Sequence, residues 1–573
     1  MGTGSRGGAD AARPIQITDF SAGLNSMYGG LSLGLNEALA DNTQNVIGIP
    51  GRAFYCGGFT SRCVLSSTAP DNAYQFSDAS SVKHQMVWRD GNLYDAVSGT
   101  ETLVETSAYT AGEDVGRVDR NGILYWCSAS TAMRKWIGSG APTAVSAGPK
   151  GTYLTSFAGS IIVANPTPDG STYQPGAFLP SNVNSETFNT SNMVQVGTDF
   201  SGIISFVLPM GVSAYGIAPS QSILVGKTAG SLHLYTGALG NQAESLVNCP
   251  VGCMDPHSAA YIPSPTLFGE VMFLGTDAQL WLTNGVTAEP ISEKNQSWVF
   301  SLFTTARSAL STQRFFATYN NRYQYYLIDL GNNQQLIYRW KTKSFFFING
   351  WPSGCYIQGT DTNGFATNFV AATSAYTAGF YQVGMDATDF GGVAPTITYQ
   401  TPYLHGGDPE LEKEWLWVAL ATRNLGMTYE VTGSGMRRAD GTAKTSRILT
   451  FADSAAAGDP SAGMWDVGQW DVMKWGSDST VSNIPPQIKH GMIAMDVAAS
   501  AWVPTGVTQP LRSGAISFSI SWKDTGDAPQ FDILGLFARY IPRGRRTVGG
   551  QKYSAQSGRS VTGADFYMGD QST

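Results

Sequence analysis

The chain has 573 residues, enough for two to four domains, yet only 14% of them are charged, against about 25% in an average soluble protein. With 66 glycines, 12% aromatic residues and a net charge of −8, this is the composition of a strand-and-turn protein whose surface is covered by copies of itself or by a partner, and it excludes global attraction to nucleic acid. The most apolar run, Ile203 to Val212, is about ten residues long and broken by Pro209, too short to span a bilayer.

Residues 1–13 are small and polar and read as disordered, without the apolar core of a signal peptide. Next come Ile17-Thr18-Asp19-Phe20-Ser21-Ala22-Gly23-Leu24-Asn25 and, after a gap, Leu35 to Val46, where Asn36 as N-cap and Asn42 near the end predict a short helix. From about Met86 to Asp329 one pattern recurs: an apolar run, a polar or glycine turn, and a second apolar run. Met86 to Tyr94 turns at Asp90-Gly91, Val118 to Trp126 at Asn121-Gly122, and Phe157 to Val163 at Ala158-Gly159. Ile223 to Tyr235, Val271 to Leu282 and Phe315 to Leu327 repeat it, and each reads as a hairpin because such turns tolerate positive φ. Their spacing of roughly 35 to 60 residues suits four-stranded blades.

The fold expectation is all-β: a β-propeller of about six or seven irregular blades, with an additional β-sandwich-like domain and extended termini. Within it, Pro166 to Asn192 is rich in Pro, Ser, Thr, Asn and Gly and reads as an exposed loop. Leu336 to Ile348 reads as a closing hairpin, and Tyr376 to Val383 completes the last blade. A second β domain starts near Thr396, with strands at Thr396 to Leu404, Glu412 to Leu420, Ala515 to Trp522 and Phe531 to Tyr540. The domains are therefore 1–50 (arm and short helix), 51–390 (propeller with insertions), 391–540 (second β domain) and 541–573 (basic flexible tail).

No cofactor or metal site is legible, and the reading is of a protein that is not an enzyme. Gly2 to Gly7 has the letters of a dinucleotide fingerprint, but no strand precedes it. Gly226-Lys227-Thr228 lacks the first glycine of a phosphate loop, and Gly30 to Gly34 lacks the strand and helix of a nucleophile elbow. His84, His233, His257, His405 and His490 are scattered singly, and the six cysteines read as buried reduced thiols. Trp465, Trp470 and Trp475 are candidates for an interface, since a spacing of five alternates faces of a strand and disfavours one sugar-stacking platform. Arg543, Arg545, Arg546 and Lys552 make the tail basic and are candidates for contact with DNA phosphates or with a neighbouring subunit, a choice that stays open.

The opening Asp19-Phe20-x-x-Gly23-Leu24-Asn25 with Asn36-Glu37-Ala38-x-x-x-Asn42-x-x-Asn45-Val46 resembles the start of tail nozzle or tail hub proteins of short-tailed bacteriophages. Trp340 before a basic turn and an aromatic return strand is similar to the propellers of that family. So is the carboxyl end, where Trp465-Asp466, Trp470-Asp471 and Trp475-Gly476 precede Ile533-Leu534-Gly535-Leu536. The family's Gly-rich basic stretch is represented only by Gly48 to Arg52, with one arginine where a basic pair is usual. The resemblance implies a structural virion protein located in the tail, in about six copies below a tail adaptor ring. It would have tail fibres as further partners, viral DNA passing through it, and no membrane-spanning segment. The rival readings are a receptor- or glycan-binding tail module and a propeller glycosidase.

Overall fold

The computed structural model describes residues 13–26, 35–66, 69–97, 99–168, 171–197, 202–210, 222–237, 242–263, 269–309, 314–372, 378–384, 395–407, 411–422, 429–435, 444–451, 487–492, 494–495, 509–522 and 531–545. Almost every element among them is a β-strand. The predicted hairpins are all present as antiparallel pairs. Three of their turns have the mirror-image geometry that matches strand twist: Asp90 and Gly91 have φ 53° and 74°, Asn121 and Gly122 have φ 53° and 73°, and Ala158 and Gly159 have φ 48° and 78°.

Six four-stranded meanders follow one another over residues 72–105, 115–144, 153–195, 204–246, 260–290 and 317–349. A seventh sheet takes Gly354–Thr360, Ala366–Ala372 and Gly379–Gly384, and its next strand comes from the other end of the chain. Gly58–Val64 pairs antiparallel with Gly379–Gly384, from Gly384 opposite Gly58 to Gly379 opposite Val64. The first strand of the first sheet lies beside that of the second, and this repeats to the fourth. Strand Ile204–Met210 then meets the short 3-10 turn Pro256–Ser258 that leads into the fifth sheet; the fifth, sixth and seventh continue the pattern, and the seventh returns to the first. Successive sheets enclose separate apolar cores. Met86, Trp88, Leu124 and Trp126 fill the space between the first two sheets, and Val163, Ile161, Tyr125 and Cys127 that between the second and third. Phe178, Val207 and Tyr235 pack between the third and fourth, and Phe206, Val271 and Phe273 between the fourth and fifth.

Two expectations within these sheets change. Pro166 to Asn192 is not one loop: Ala177–Pro180 is the third strand of the third sheet, fully buried and paired with Ile162 to Ala164. The apolar run Ala177-Phe178-Leu179 is short enough to be masked by its polar flanks. In addition, one α-helix, Gln296–Ala309, follows the fifth sheet, burying Val299, Phe303 and Ala306 on one face.

Twelve of the remaining strands form one large sheet, organised on the long antiparallel pair Leu411–Thr422 and Asp532–Arg545. The arm is built into it: Arg13–Ile17 pairs with Leu536 to Tyr540, and Arg52–Tyr55 reaches Asp532 and Ile533. Arg52 Nε lies 2.7 Å from the buried Asp532 carboxylate. The helix predicted after Asn36 is replaced by strand Glu37–Leu39, paired in parallel with Gly23–Asn25, and a single 3-10 turn Ala40–Asn42. Seven residues are too few to nucleate a helix when a strand partner is offered. Asn25 Nδ2 reinforces that partner by donating to Glu37 Oε1 at 2.9 Å. Of the strand predicted over Thr396 to Leu404, Thr398–Gln400 and an isolated bridge from Leu404 to Ile516 are formed.

Candidate functional site

Two places bring chemically capable side chains together. The first lies where the first strands of the small sheets begin, and the residues that form it precede those strands: Asp71 and Asp114 for the first and second sheets, Asp255 to Ser258 for the fifth, Arg314 for the sixth. His257 Nε2 and Arg314 Nε each approach Asp114 Oδ1 to 3.2 Å. Arg314 also donates from its terminal nitrogens to the carbonyls of Asp71, at 3.0 Å, and Gly112, at 2.5 Å. Asp255 accepts the backbone N–H of His257 with one oxygen and that of Phe315 with the other. Arg117 Nε donates to the carbonyl of Ala73 at 2.8 Å.

Electrostatically this cluster is a closed knot. Burial alone would raise the Asp114 carboxyl, but His257 and Arg314 hold it below the usual carboxylate range. Burial lowers Arg117, and burial pushes Tyr153 up to about 12, partly offset by Arg117. Burial pushes the neighbouring Cys253 thiol up to about 12 and Cys355 higher still, so neither is a nucleophile at neutral pH. The arrangement therefore clamps sheets from opposite parts of the chain rather than performing chemistry. Arg314→Ala is expected to cost about 2 kcal/mol, from two carbonyls and one carboxylate losing a charged donor. Denaturant unfolding checks this, and a loss under about 0.5 kcal/mol would contradict the clamp.

The second place is a groove of about 570 Å³ between the arm, the helix and the large sheet. The 3-10 turn and its exit supply Asp41, Asn42, Thr43 and Gln44; the helix supplies Trp298 and Leu302; the sixth small sheet supplies Phe347; and the large sheet supplies Thr398, Gln400, Ser434 and Ser519. Trp298 stands edge-on to Phe347, ring centroids 6.1 Å apart. Alternation of apolar and polar residues in Ile516–Trp522 explains the polar wall: Ile516, Phe518, Ile520 and Trp522 are buried on one face, while Ser519 and Ser521 are half-exposed on the other, where Ser517 is covered. No motif announced this groove because its residues come from segments up to hundreds of positions apart.

The residues singled out from sequence are placed as follows. Arg543 and Arg545 stand in the strand Asp532–Arg545, where Arg545 is opposite Leu411, so the first residues of the predicted tail are paired backbone. Arg546, Lys552, Trp465, Trp470 and Trp475 lie outside the described residues, as do the glycine-rich stretches 2–7 and 30–34. Gly226-Lys227 ends a buried strand, with the Phe206 ring against Gly226 where a phosphate would need space. Among the described residues Cys56, Cys63, Cys127, Cys253 and Cys355 are buried free thiols and Cys249 is half-buried. No group of three metal-ligating side chains occurs among the described residues, and none of their helices is long and apolar enough to cross a membrane.

No protein-family model matches the chain, and no curated protein is significantly similar to it in sequence.

Proposed function

We propose that the seven small sheets are the blades of a β-propeller and that the protein is a structural component of a phage tail nozzle. In this reading about six copies close into a ring below an adaptor ring, with tail fibres as further partners, and the channel retains the genome and conducts it at ejection. The observation that carries the reading is what the opening motif does. Phe20 stacks edge-on against Tyr399, Gly23 lies where any side chain would strike Ser344 and Phe345, Asn25 binds Glu37, and Asn45 joins three segments. The residues that resemble the nozzle family are thus those that fix the small sheets against the large one. A conduit under pressure needs that kind of rigid join. A low-charge surface suits repeated contact between copies, and net acidity gives DNA phosphates nothing to grip.

Electron-microscopic class averages of the purified protein, alone and mixed with the adaptor protein of its phage, test the proposal. Rings of six 61.1 kDa chains, about 367 kDa, are expected in at least the mixture. Single particles in both samples would overturn it.

A further inference from the structure

From its lining we infer that the groove between the arm, the helix and the large sheet is a binding site for a neutral saccharide. This goes beyond the nozzle reading and does not depend on it. The chemistry of the walls makes the selection. Among the described residues no Lys, Arg or His lines the groove, so a phosphate or carboxylate ligand finds no counter-charge there, and the Asp41 carboxylate at the rim repels it. Trp298, Leu302 and Phe347 gather on one side, too small an apolar area for an amphipathic helix but suited to the C–H face of a sugar ring.

Opposite them stand amides, hydroxyls and one carboxylate, the set that pairs with vicinal hydroxyl groups. Much of that capacity is unspent in the fold. Gln400 uses its amide N–H on Ser517 Oγ, at 3.1 Å, and keeps its carbonyl oxygen. Gln44 accepts from Asn349 at 3.2 Å and keeps its amide N–H groups. Asp41 and Asn42 are exposed on a turn that has no side-chain cap. Gln400 is directly opposite Ser519, and Ser434 lies on the next strand across, opposite the buried Ser517, so polar side chains from three neighbouring strands line that wall. Polar side chains spread over three strands, in a groove also lined by an indole, suit an extended chain of sugar units.

The test uses the full chain on an array of neutral and anionic oligosaccharides, followed by calorimetric titration of the retained glycan. Neutral glycans are expected to be retained, with Trp298→Ala weakening binding at least tenfold. Because Trp298 is also packed against Phe347, the double variant D41A/N42A, on an exposed turn, supplies the independent arm: at least threefold weaker binding with an unchanged melting curve. Retention of no glycan, preference for anionic glycans, or unchanged affinity in both variants would overturn the inference. So would loss of ring assembly in D41A/N42A without any glycan binding, which would make the groove a contact between copies. Rings in the micrographs are a separate readout, so the failure of one proposal is distinguishable from that of the other.

Discussion

Replacing Asn45 by alanine is expected to remove about 4 kcal/mol or more of stability, the largest effect of any single polar side chain described above. Asn45 is fully buried, and its side chain serves three backbone groups at once. Nδ2 donates to the carbonyls of Asn349, at 2.7 Å, and Thr396, at 2.8 Å, while Oδ1 accepts the N–H of Asn349 at 2.7 Å. Its own N–H donates to Phe347 O and its carbonyl accepts from Cys56. One residue thereby ties the outer strand of the sixth small sheet, the segment leading to the large sheet, and the hairpin that runs into Arg52–Tyr55. Truncation leaves three buried groups unpaired at roughly 1–2 kcal/mol each. Alanine must also adopt φ 62°, a left-handed conformation that asparagine tolerates and that costs others about 1 kcal/mol. Guanidinium unfolding of Asn45→Ala and Asn45→Gly separates the contributions: glycine recovers only the backbone part. A wild-type midpoint in Asn45→Ala would show that the two halves are held by other contacts.

The hairpins were legible because their cause is local. Asp90-Gly91 and Asn121-Gly122 specify mirror-image turns whatever surrounds them, and the flanking apolar runs can do little but pair. The closing of the seventh sheet was not legible, since Gly58–Val64 meets Gly379–Gly384 across more than three hundred residues and carries no mark of its partner. The same holds for the arm strands that join Asp532–Arg545. Helix Gln296–Ala309 was missed for a different reason. Ser297, Ser301, Thr304, Thr305 and Ser308 have weak helix propensity, yet Trp298, Val299, Leu302, Phe303 and Ala306 fall at helical spacing, a signal that was present and outweighed by the strand-rich context. As for the groove, one wall was readable in the alternation of Ile516–Trp522, but the opposing indole is brought to it only by the tertiary fold.

The contribution of Asp329 to stability is expected to be lost as pH rises from about 4 to about 7. Its carboxyl is buried at the end of Tyr325–Gly331, beside the connection from the sixth small sheet to the seventh. Burial pushes its pKa up to about 7, against the opposing pull of hydrogen bonds from Gln335 and Ser353 and from the backbone N–H of Gly354. A group with a raised folded-state pKa favours the folded state in its protonated form. Its contribution is complete below the unfolded pKa near 4 and is lost as pH rises through about 7, where the buried carboxylate must carry its charge. The full span is about 4 kcal/mol, at about 1.4 kcal/mol per pH unit. Carboxyls held low, such as Asp114 and Glu186, act in the opposite sense as pH falls, so the measurement is the difference between wild type and Asp329→Asn. Asparagine keeps the acceptor for Gln335 and Ser353, which share Oδ1, and gives up the one for Gly354; the backbone N–H of Gly331 is a further donor facing this side chain. Its unfolding free energy is therefore expected to lie within about 1–2 kcal/mol of wild type at pH 4 and to overtake it by pH 8. Parallel curves for the two proteins between pH 4 and 8 would mean that Asp329 is ionised throughout, its hydrogen bonds outweighing its burial.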